Sequence, residues 1–94
     1  MGVLSDQVRQ AVREDRFIFS AHADERLRER RIMGWQVIAG TATASLLAES
    51  PGAVPNPTIE LECMLSDGTS CKVVWAWIAS AQTAKLVTVH FFDR

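Results

Sequence analysis

Apolar residues recur at helical spacing near the start of the chain. Val3 and Leu4, Val8, then Ala11 and Val12 mark one face of an amphipathic helix over residues 3–15. Arg9, Arg13 and Glu14 fall largely on its other side. Phe17-Ile18-Phe19 is a short apolar run, read as an edge strand or an extended link. Ser20 follows, and its hydroxyl is suited to cap a second helix by accepting from the amide of His22 or Ala23. Ala23 and Leu27, with Ile32 just beyond, form the stripe of that helix expected to face the core.

Met33-Gly34 predicts a break, and residues 35–48 a third helix bearing Trp35, Ile38, Ala42, Leu46 and Leu47. Trp35 reads as a core anchor rather than a stacking platform for a base. Three prolines and a glycine make residues 50–57 a crossing loop. Residues 58–65, 70–78 and 85–92 then alternate as three strands, joined at Asp67-Gly68 and through 79–84. The fold class this order predicts is α+β. Two or three N-terminal helices pack on one face of a three- to four-stranded antiparallel sheet, in a single domain over residues 1–94.

A two-residue turn at Asp67-Gly68 sets Cys63 opposite Lys72 and Cys71 opposite Met64. Ile59, Leu61, Cys63 and Leu65 then share the helix-covered face with Val74, Ala76 and Ile78. Trp75 and Trp77 fall on the opposite face beside Glu60 and Glu62. Two tryptophans there call for a cover: the N-terminal helix, a second copy or a partner protein. A three-residue loop of Ser66, Asp67 and Gly68 would instead set the two cysteines opposite each other. Reduced, buried thiols are expected.

With 94 residues and a 48% hydrophobic composition, the chain suits one globular domain. It has no apolar run of membrane-spanning length, and its charged N-terminal stretch is no signal peptide, so a cytoplasmic location is expected. The net charge of −1 argues against an extensive nucleic-acid interface, which usually needs a basic excess. The cysteines have seven residues between them, which is no zinc-finger spacing, and no phosphate-cradling glycine loop is present. Neither metal nor cofactor is expected.

The candidate chemistry lies on the second helix. His22, Arg26 and Arg30 are four apart and share one stripe. Free amides at the helix start and a guanidinium leaning toward them can hold an anion such as phosphate. The plainer reading of the same helix is a solvated, salt-bridged face, with Asp24–Arg28, Glu25–Arg28 and Arg26–Glu29 as surface pairs.

Ser20-x-His22-Ala23-x-x-Arg26-x-x-x-Arg30-x-Ile32 resembles the motif of a family of small bacterial domains, domain of unknown function 4258. The family's Arg-Gly-Ile turn stands here as Arg30-Arg31-Ile32, and its acidic helix start as Met33-Gly34-Trp35-Gln36. The resemblance implies a RelE-like toxin fold of toxin–antitoxin systems and metal-independent ribonuclease activity. RNA cleavage of that kind needs a base for the 2′-hydroxyl, an acid for the leaving oxygen and cations around the phosphate. His22 is then the base, His90 the acid, and Arg26 and Arg30 the phosphate ligands, with Lys72 or Arg94 in support. The alternative is a non-catalytic interaction module. It would bury Trp75 and Trp77 against a second copy or an antitoxin-like protein.

Overall fold

A computed structural model describes residues 3–65 and 68–92. Three helices, α1 (Val3–Arg13), α2 (Ala21–Glu29) and α3 (Gly34–Thr41), accompany five strands. The strands are β1 (Phe17–Phe19), β2 (Ser45–Ser50), β3 (Thr58–Met64), β4 (Ser70–Ile78) and β5 (Thr83–Phe91). They form one sheet in the order β1-β5-β4-β3-β2. The class is α+β, with two strands more than the smallest sheet expected. The sheet is mixed rather than antiparallel, because β1 pairs in parallel with β5.

Every helix lies on the same face. Val8, Ala11 and Val12 of α1, Ala23 and Leu27 of α2, and Val37 of α3 pack on Ile59, Leu61, Val73, Trp75, Leu86 and Val89 in one continuous core. The Ala23/Leu27 stripe thus faces inward as its spacing requires. Among the described residues no helix is long and apolar enough to cross a membrane.

Three expectations need correction. The first concerns residues 35–48, where the helix stops at Thr41 and residues 45–50 turn into β2. Arg9 explains the stop. Its Nη1 donates to the Thr41 carbonyl at 3.1 Å and its Nη2 to the Ala44 carbonyl at 2.8 Å, so a guanidinium takes up the last carbonyl of α3 and one in the turn beyond it. Beyond that point the open edge of β3 offers pairing to the chain. The Glu49 carboxylate fixes β2 further by accepting from the Ser5 amide in the first turn of α1, at 2.9 Å.

The second correction is the phase of α3. Its inward residues are Val37, Gly40 and Thr41, and Trp35 is 63% exposed. At Gly40 the helix runs close over β3, where a Cβ would make an ordinary contact 3.5 Å from the Cys63 Cβ. A helix this close to the sheet has no room for an indole beneath it.

The third is register. The Leu65 amide donates to the Thr69 carbonyl at 2.8 Å, Gly68 has φ of +86°, and Cys63 sits directly opposite Cys71. The turn therefore has three residues, of which Ser66 and Asp67 lie outside the described ones. A shift of one residue moves every side chain of β4 to the other face. Val73, Trp75 and Trp77 consequently face the helices. Trp75 is 0% and Trp77 6% exposed, and the face assigned to them carries Lys72, Val74, Ala76 and Ile78 instead. Both cysteines are buried thiols.

Candidate functional site

Among the described residues, the loop 51–57 borders the sheet face away from the helices, with Val54, Pro55 and Asn56 beside Thr58, Ala76 and Lys85. Across that face run Thr58, Ala76 and Lys85, consecutive partners on β3, β4 and β5. Beside them β5 carries a bulge. Val74 pairs with Thr88 and Trp75 with Leu86, so Val87 is the inserted residue. Bulges re-aim side chains and backbone and are frequent beside functional sites.

The bulge also anchors the start of α2. The Ser20 hydroxyl donates to the Val87 carbonyl at 2.8 Å and accepts from the Ala23 amide at 3.0 Å, while the Ser20 amide donates to the Leu86 carbonyl. Ser20 is thus the expected cap and also a tether of helix to sheet. This brings His22 over the edge of the open face. A cleft of about 420 Å³ results, lined by Ser20 and His22, by Val54, Pro55 and Asn56 of the loop, and by Thr58, Ala76, Lys85 and Val87 of the sheet.

Among the described residues, the side chains of His22, Asn56, Thr58 and Lys85 make no hydrogen bond or ion pair. The contrast within β4 and β5 is direct, since Lys72 is paired with Glu60 at 3.6 Å. Four unengaged polar groups and the engaged Ser20 thus line one concave surface, with Val54, Pro55, Ala76 and Val87 as its apolar part. That is the usual composition of a small-molecule site.

Of the four residues singled out on sequence, His22 alone lines this cleft. Arg26 lies further along α2, where its Nε donates to the Val89 carbonyl at 3.2 Å and its Nη1 to Glu29 at 3.3 Å. Arg30 stacks on Phe91, its guanidinium carbon 4.9 Å from the ring centroid. His90 is exposed on the open face opposite Lys72, toward the other end of β5. The pair Asp24–Arg28 closes to 3.8 Å on the outer surface of α2. The stripe is therefore real as a helical face, but its guanidiniums bind backbone, an acid and a ring within the chain. Arg94 lies outside the described residues.

Lys85, Asn56 and Thr58 carry no motif in the sequence. Lys85 sits in an ordinary alternating strand and Asn56 in a proline-rich loop. Their juxtaposition follows from strand order, which no local pattern encodes. The aromatic surface also differs from the expected one. Trp35 and the 65% exposed Met64 flank a shallow groove on α3, whereas Trp75 and Trp77 are covered by helices. Comparison with family models, curated proteins and solved structures finds no match to this chain.

Proposed function

We propose that the chain is a metal-independent endoribonuclease acting at the cleft beneath the start of α2, with His22 as the proton acceptor. The observation that carries this reading is the pairing of an unengaged imidazole and an unengaged ammonium, His22 and Lys85, in a cleft open to solvent. The likeness of the Ser20–Ile32 stretch to the family motif points to the same histidine.

In the proposed step the imidazole of His22 takes the proton of a ribose 2′-hydroxyl. The 2′-oxygen attacks phosphorus, the bond from phosphorus to the 5′-oxygen breaks, and a 2′,3′-cyclic phosphate and a 5′-hydroxyl result. Lys85 offsets the charge that builds on the non-bridging oxygens, and water returns a proton to the leaving oxygen. The chain's charge of −1 suits a short single-stranded contact at one cleft better than a long basic track.

The test is cleavage of a short single-stranded RNA in the presence of a chelator. His22→Ala is expected to lower the rate by roughly 10²–10⁴-fold. Lys85→Ala is expected to lower it by about 10²-fold through lost charge stabilisation. Arg30→Ala, which alters a residue outside the cleft, should leave it within about twofold if the folded state is intact. Equal rates for wild type and His22→Ala would overturn the reading.

A further inference from the structure

The cleft has two polar ends and an apolar middle. His22 and Lys85 stand at one end, and Asn56 and Thr58 at the other. Thr58, Ala76 and Lys85 are successive cross-strand partners, so the two ends lie two strand spacings apart, about 10 Å. That span matches the reach from the phosphate of a nucleotide to the far edge of its base. Between the ends the floor is Ala76, whose single methyl keeps it low, beside Val87. Val54 and Pro55 of the loop supply an exposed apolar rim.

Asn56 presents a donor and an acceptor side by side, the arrangement that pairs with a base edge. Neither its amide nor the Thr58 hydroxyl has a partner among the described residues. An unpaired amide beside an apolar slot discriminates strongly, because a ligand without matching groups leaves it desolvated and unbonded.

We infer that the Asn56–Thr58 end of the cleft is a nucleobase subsite, which seats one base over Ala76 while its phosphate meets His22 and Lys85. This rests on the reading of the cleft as an RNA site and extends it from a phosphate-directed reaction to a base-selective one. Residues 51–57 are then the specificity element, and His22 and Lys85 act at the phosphate whatever the base.

Binding of the four nucleoside 3′-monophosphates and of base-free ribose phosphate to the full chain tests it, followed by NMR shift titration. At least one nucleotide should bind roughly tenfold or more tighter than ribose phosphate. Asn56→Ala and Thr58→Val should each reduce the preference among bases by about fivefold or more, with ribose phosphate affinity unchanged. Ala76→Leu, which raises the floor, should abolish the nucleotide advantage with the same ribose phosphate affinity. Equal affinities for nucleotide and ribose phosphate would overturn the subsite. So would a base preference that survives both Asn56→Ala and Ala76→Leu. Failure of the catalytic reading looks different: base-dependent binding persists, the His22→Ala variant cleaves like wild type, and the subsite stands as a nucleotide-binding site.

Discussion

Arg31 closes α2 with φ of +56°, in the left-handed region that side chains with a Cβ rarely occupy. The bonds around it define the cap. The Ile32 amide donates to the Leu27 carbonyl at 2.9 Å and the Arg31 amide to the Arg28 carbonyl at 3.1 Å. A glycine, which has no Cβ, suits this backbone geometry. Arg31→Gly is expected to stabilise the fold by about 1 kcal/mol, as relief of the Cβ outweighs the extra freedom of the unfolded chain. A urea melt with an unchanged slope and a higher midpoint checks this. Ser20 shows a residue whose main role was readable in advance: its position before an apolar-periodic segment announced the cap. Its bond to Val87 was not readable, because nothing near Ser20 in the chain points to β5.

Among the elements, α3 and β2 differ most from their propensities. Residues 42–48 contain alanines and leucines that suit a helix, yet from Ser45 onward the chain pairs along β3. Arg9 of α1 decides the boundary from another element, with a further bond from its Nε to the Ser5 hydroxyl at 3.2 Å. Arg9→Ala leaves the carbonyls of Thr41 and Ala44 without this donor and should destabilise the protein by roughly 1–3 kcal/mol. Thermal unfolding of Arg9→Ala beside Arg13→Ala, an exposed neighbour, measures the difference; equal midpoints would contradict this role. Strands β3, β4 and β5 were legible from alternation and turn residues within two residues of their observed ends. The register between β3 and β4 was not, since loops of two and three residues fit the same sequence and place Trp75 on opposite faces.

For the molecule as a whole, the core decides how its thiols behave. Burial pushes the Cys63 thiol up to about 11 from a usual value near 9.0, with Thr41 and Arg9 pulling weakly the other way. The folded state therefore keeps its proton through a range in which the unfolded chain loses it. This contribution to stability is complete below pH 9, falls as pH rises from about 9 to 11, and levels off above that; its size is on the order of 2 kcal/mol. Cys63→Ala should lack this part of the decline, a difference measurable by denaturant melts across that range. Iodoacetamide at pH 8 should leave Cys63 of the folded protein unmodified over the time that labels the unfolded chain.

Local pattern by itself determined the α+β class, the helix starting after Ser20, its Ala23/Leu27 inner stripe and the candidacy of His22. Those follow from spacing and capping, which act over a few residues. Tertiary structure alone decided the parallel pairing of β1 with β5, the end of α3, the face on which Trp75 and Trp77 lie, and the meeting of His22 with Lys85, Asn56 and Thr58. Each of these depends on contacts between segments far apart in the chain. There the balance is set by which edge is free to pair and which surface has room, quantities that exist only once the chain has folded.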